Sequence, residues 1–340
     1  MSIDKHLKRS IWIPSEFNNG WRYIERVAHK DSKKKLLELL ASKYKHSSSE
    51  KWYKRIKGKE VKVNNIEASA NQVLHCGDLI YWDRPPWEEP GVPACWDILF
   101  DNGDVQIINK PSGLPTTPGG GFLMHTLTAL LDLKYKQNSE SLVPKPLHRL
   151  GRSTSGLLIC ARQRATRANL SALFRNNLLD KSSFRRVYRA LAQPNPNLKA
   201  GESIEVNTPI EMCAHPILNQ VWNIQQREQK NSEIAAQSSA QLNASSKLEL
   251  LEKRCDCDLL EITIFTGRPH QIRIHVASIG TPLIGDRLYG PKGKLSSQAI
   301  PGHGGYLLHA YKLLNVPIGD KIHSFKSSLP AALRISSKRT

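Results

Sequence analysis

The 340-residue sequence contains no run of 18 or more apolar residues, so it offers no helix long enough to cross a bilayer. Its first residues, MSIDKHLKRSIWIPSEF, lack the continuous apolar stretch of a secretory signal. The six cysteines (Cys76, Cys95, Cys160, Cys213, Cys255 and Cys257) are scattered and form no CxxC pair, which removes zinc ribbons and thioredoxin-type motifs. A reducing cytoplasm with free thiols is the expectation. No internal repeat is present. Acidic residues are the scarce charge: 30 Asp plus Glu stand against 49 Lys plus Arg, a formal net charge of +19. Such an excess attracts polyanions through long-range attraction and counterion release, and nucleic acid is the leading partner class. A basic surface kept for solubility is the plainer alternative.

The length allows one large domain and a smaller one. Twelve Lys or Arg against four acids fall between residues 30 and 62, a concentration that suggests a dedicated binding module. Leu36, Leu39, Leu40 and Tyr44 recur at helical spacing and predict a short amphipathic helix. Ser47 followed by Glu50, with Gly58 beyond, predicts a second helix over roughly 48–57 with Trp52 and Ile56 inside. Val61, Val63, an Asn64-Asn65 turn and a strand over 79–82 complete a small helix–helix–β unit. Pro85, Pro86 and Pro90 read as a stiff linker over 85–95. From 96 to 330, short apolar runs at 105–108, 157–159, 188–191 and 259–264 predict a mixed α+β domain. Residues 225–249 hold no aromatic side chain and read as a polar surface insertion; 1–29 read as an extension and 331–340 as a basic tail.

Three segments of the larger domain join glycine turns to basic residues. Asn109-Lys110-Pro111-Ser112-Gly113-Leu114-Pro115 is at least a rigid turn. His148-Arg149-Leu150-Gly151-Arg152-Ser153-Thr154-Ser155-Gly156 places two arginines and several hydroxyls on a loop, which suits phosphate contacts as well as simple solvation. It is neither a P-loop nor a GxSxG elbow. Thr266-Gly267-Arg268-Pro269-His270-Gln271-Ile272-Arg273-Ile274-His275 is followed by Gly285-Asp286-Arg287-Leu288-Tyr289-Gly290. His270 and His275 are five apart and do not share a helix face, so zinc is not expected, and core or backbone-bonded roles are the default.

Together with Arg186-Val187-Tyr188-Arg189-Ala190-Leu191, these segments resemble the ordered motif set of the RluA-type RNA pseudouridine synthases. Residues 30–84 resemble the S4-like RNA-binding domain that often precedes that catalytic domain. The resemblance implies a mainly antiparallel catalytic sheet and conversion of uridine to pseudouridine in structured RNA, rRNA or tRNA, without metal or organic cofactor; a monomer is the working expectation, on which the sequence itself is silent. It implies that Tyr188 stacks on a flipped uracil and assists proton removal; a core tyrosine is the plainer reading. Arg268 and Arg149 are the further catalytic candidates, and Arg273 is expected to support structure. Lys110, Arg152, Thr154 and Ser155 would line the RNA cleft, and Lys33, Lys34, Lys35, Lys54 and Arg55 would grip RNA from the small domain.

One position departs from the pattern. The family's aspartate in the second motif is replaced by Gly151, which can neither attack nor take a proton. Asp180, Asp104 and Asp286 are candidate substitutes. The alternative is an RNA-binding protein that keeps the fold without the chemistry.

Overall fold

The computed structural model describes residues 12–137, 142–176, 184–224, 241–300 and 304–336. Backbone contacts divide the chain into a smaller unit, Ser15–Pro90 with Pro216–Asn219, and a larger one formed by the rest.

In the smaller unit the leucine stripe folds as expected into helix α1 (Leu36–Lys43), burying Leu36, Leu39 and Leu40. Helix α2 (Ser49–Lys57) buries Trp52 and Ile56. Its cap is Ser48, which accepts from the Lys51 N–H, rather than Ser47, whose hydroxyl accepts from Arg55 instead. Beneath the helices lie strands β1 (Trp21–Arg26), β2 (Val61–Val63), β3 (Ile66–Glu67) and β4 (Leu79–Arg84) in the order β1-β4-β2-β3, all antiparallel. Asn64 and Asn65 both take positive φ, +52° and +65°, the geometry of a tight hairpin turn. Residues 21–26, which the sequence suggested were part of an extension, pair along the whole of β4. Tyr23 stacks on Trp82 with ring centroids 5.1 Å apart. The proline-containing stretch is also paired: Glu88–Glu89 with Glu16–Phe17 in this unit, and Val92–Pro93 with Trp12–Ile13 in the larger one.

The larger unit is built on one ten-stranded sheet, mixed and mainly antiparallel, as the α+β expectation requires. Its strands are β5 (Asp97–Asp101), β6 (Val105–Lys110), β7 (Lys145–Pro146), β8 (Thr154–Ala161), β9 (Arg185–Ala192), β10 (Ser203–Val206), β13 (Ser246–Lys253), β14 (Asp258–Ile264), β15 (Leu308–Ile318) and β16 (Lys321–Lys326). A separate hairpin of β11 (Ile210–His215) and β12 (Asn219–Ile224) carries the intervening numbers. The main path runs β10-β13-β14-β9-β15-β8-β6-β5, with β7 on β8 and β16 on β15; the β8–β15 pairing is parallel. Period-two alternation gives the sheet two cores. Ile108, Leu158, Tyr188 and Ile262 face helices α3 (Leu127–Gln137) and α5 (Gln271–Ser278), while Ile107, Leu157 and Ile159 face helix α4 (Arg164–Asn176). Gly156, with φ +103°, is required where β8 meets β15, because a Cβ would strike the Ala310 backbone.

Two boundaries differ from the sequence expectation. Of the polar stretch 225–249, residues 225–240 lie outside the described residues, but Ser246 and Leu248 are fully buried in β13. Strand pairing, rather than composition, decides their burial. Within the tail, Leu333 is buried and the carbonyls of Ala332 and Arg334 accept from Arg254. No described helix is long and apolar enough to cross a membrane.

Candidate active site

The first and second motifs lock together through the backbone. The Gly113 N–H donates to the Arg152 carbonyl (2.7 Å), the Ser112 hydroxyl to the Ser153 carbonyl (2.8 Å) and the Thr116 hydroxyl to the Leu150 carbonyl (2.8 Å). Lys110, expected in the RNA cleft, is fully buried beneath this junction. Its ammonium donates to the carbonyls of Pro111 (2.8 Å) and Leu114 (2.7 Å), and burial lowers its pKa to about 7. It holds the turn and cannot touch RNA. Thr154 is likewise buried at the start of β8, and the Ser155 hydroxyl is bonded to His309 Nδ1 at 2.8 Å, so neither presents a free group to phosphate. Arg149 is exposed, and Arg152 is half-buried with its guanidinium 5.4 Å from the Phe122 ring.

The third motif turns sharply at His270, whose φ of +55° starts α5. Arg273, one turn into that helix, forms a bidentate pair with Asp286 (2.6 and 2.7 Å), and the N–H groups of Leu288 and Tyr289 also donate to Asp286. Burial alone would raise the Asp286 pKa, but the Arg273 guanidinium outweighs it and the carboxyl sits below its ordinary value. The Tyr289 hydroxyl donates to the Trp222 carbonyl (2.7 Å), so His270 Nδ1 must be the donor in its 2.8 Å contact with that hydroxyl. His275 is a bonded core histidine, between Ser246 Oγ (2.9 Å) and the Thr208 carbonyl (3.1 Å).

Arg186, on β9, is where the motifs meet. Its guanidinium packs so closely on Gly267 that a Cβ there would come within 2.7 Å. Burial first and the Arg186 charge second lower the His148 pKa to about 3. Two residues along β9, Tyr188 is 5 % exposed on the face shared with α3 and α5, and burial raises its hydroxyl pKa. Arg149 reaches the same end: with burial the largest influence, the charges of Arg273 and Arg149 lower His270. Arg268 is half-buried and its Nε donates to the Asn243 carbonyl at 2.8 Å; among the described residues no carboxylate pairs with it.

The substitute acids fare differently. Asp286 is fully shielded and its oxygens are taken by four donors. Asp104 lies in the β5–β6 turn, accepting from Gln163 N–H and the Thr166 hydroxyl at the start of α4. β6 separates it from the Lys110 end, where the motif loops lie, by about 20 Å at ~3.3 Å per residue. Asp180 lies outside the described residues. Arg186 was legible in the sequence only as a basic residue preceding Tyr188.

Basic loops gathered around a strand tyrosine at one end of a mixed sheet define a protein of the nucleic-acid-modifying class. The chain belongs to the RNA pseudouridylate synthase family, whose model matches residues 104–278. A Synechocystis protein described as an uncharacterized RNA pseudouridine synthase is 38% identical over 281 residues, covering 82% of this chain and 88% of its own. RNA pseudouridine synthase 5 of Arabidopsis thaliana is 30% identical over 366 residues, covering 94% of this chain and 95% of its own. The solved structure of human RNA pseudouridylate synthase domain containing 1 aligns over 71% of this chain and 86% of its own, with 19% identity and a TM-score of 0.49.

Proposed function

We propose that this RNA pseudouridine synthase acts on a uridine within structured RNA, rRNA or tRNA, with the smaller unit serving as an S4-like RNA grip. The observation that carries the reading is the convergence of the second motif, the β9 segment and the third motif at Arg186. A stacked base must be swung out before its glycosidic bond can be reached, at a cost of a few kcal/mol. Arg149, Arg152 and Arg268 are the cations placed to hold the flanking phosphates. Tyr188 is the platform for the extruded uracil; one stacked base is worth about 1–3 kcal/mol, enough to offset much of that cost.

The test is tritium release from RNA carrying 5-tritiated uridine, because pseudouridine formation expels the hydrogen on carbon 5. Release above a protein-free control, with pseudouridine in the digested RNA, is the expected outcome. Tight RNA binding without release from any cellular RNA pool would favour the non-catalytic binder that Gly151 suggests.

A further inference from the structure

The space beside Gly151 is not empty. Tyr306 lies two residues before β15, is 7 % exposed, and packs in the same core as Leu150 and Tyr188. A Cβ built on Gly151 would run into the Tyr306 hydroxyl oxygen, and Thr154 Oγ1 lies 3.4 Å from the same point. The phenol therefore occupies the volume that a side chain at position 151 would take. Both sides of the contact are shaped for it: the Gly305 N–H donates to Ser153 Oγ (2.9 Å), and Gly304 has no side chain where Ser153 Oγ and Arg152 crowd in.

Among the described residues the Tyr306 hydroxyl has no hydrogen-bond partner, and the oxygen itself remains open to solvent although the ring is buried. The Arg273 guanidinium, fixed by Asp286, lies 4.6 Å from the centre of its ring. An unpaired, solvent-facing hydroxyl at the motif loop that lacks its acid is positioned to exchange a proton with a bound nucleotide. The neighbouring carboxylate, Asp286, is saturated.

Resting on the synthase reading above, we propose that Tyr306 is a catalytic residue whose hydroxyl carries the proton at the target nucleotide. The electron pair of the bond between the ribose anomeric carbon and uracil nitrogen 1 leaves with the nitrogen, which takes the Tyr306 proton. The freed uracil turns, and the π pair between carbons 5 and 6 bonds carbon 5 to the anomeric carbon. The proton on carbon 5 then passes to the phenolate, and its bonding pair restores the double bond. One proton is given and one taken, so the tyrosine ends as it began, with the Arg273 guanidinium against its ring throughout. This route needs no attacking group at position 151.

Tyr306→Phe removes only an oxygen that makes no protein hydrogen bond, so it is expected to leave the melting temperature and RNA affinity unchanged. Tritium release should fall at least about 100-fold, the usual scale of a lost general acid–base group. Release at the wild-type rate would overturn the assignment while leaving the synthase reading intact. A loss of release matched by a loss of RNA binding or of melting temperature would also overturn it, since Tyr306 would then be structural. Failure of the wild-type chain to release tritium would instead sink the synthase reading itself, and the Tyr306 role with it.

Discussion

At the scale of single residues, two buried side chains in the catalytic domain have opposite uses for burial. Tyr188 lies in the core face shared with α3 and α5, and the proposed role for it is a platform for the extruded base. Tyr188→Ala is expected to reduce tritium release far more than overall RNA affinity, because phosphate contacts supply most of the latter. Equal losses in release and in filter-binding affinity would remove the platform role. Lys110 instead carries a burial penalty. Its folded pKa is about 7 against an ordinary 10.5. Below pH 7 it is charged whether folded or unfolded and the full penalty applies; above about 10.5 it is neutral in both states and the penalty vanishes. Stability should therefore rise between pH 7 and 10 by an amount on the order of a few kcal/mol from this group. Urea titrations of wild type and Lys110→Met across that range should show their stability difference changing with pH. A constant difference would mean the ammonium is not desolvated as the structure has it. Position 110 also marks a limit of sequence reading: a lysine in a glycine–proline turn looks like a surface cation until strand β6 carries it inward.

At the scale of elements, α5 depends on a pair that sequence spacing alone could not assign. Arg273 and Asp286 are thirteen residues apart, and the chain between them must leave the helix and turn back before they meet. Asp286→Ala would leave the Arg273 charge buried without its partner, and a loss of about 3–5 kcal/mol in urea unfolding is expected. The pH dependence has the same sign as that of Lys110, since both pKa values are lowered on folding, but it falls in the acid range. A carboxyl held below its ordinary pKa adds stability that is fully present above about pH 4 and is lost as pH falls through the folded value. Equal stability of wild type and variant at pH 7 would show that the pair contributes nothing. The strands were legible where apolar runs are continuous: the expected segments fall in β6, β8, β9 and β14. Strand β1 was not, because its residues are mostly exposed and only pairing with β4 defines it.

At the scale of the whole molecule, the +19 charge is spread unevenly, and the structure refines which cations are free to act. Lys33, Lys34, Lys35 and Lys54 are exposed on the smaller unit, Lys34 paired with Asp31 and Lys54 with Glu50. Arg55, expected among them, is a packing residue. Its guanidinium lies 4.6 Å from the Trp52 ring and 4.4 Å from that of Trp82, and donates to Ser47 Oγ. Neutralising the four lysines to Gln should weaken RNA binding and flatten the slope of log affinity against log salt by roughly 0.7–0.9 for each phosphate that is no longer neutralised. An unchanged slope would move the RNA grip elsewhere.

Charge, the leucine stripe of α1 and the strand runs follow from local composition and periodicity, which neighbours cannot alter, and these the sequence alone determined. The ordered motifs likewise announced the family. Which polar groups stay available was decided by tertiary structure, because availability depends on what the fold brings against each one. Lys110 and Thr154 were taken inward where β6 and β8 enter the core, Arg55 was laid against the rings of Trp52 and Trp82, and Tyr306 was brought 155 residues back to the space beside Gly151.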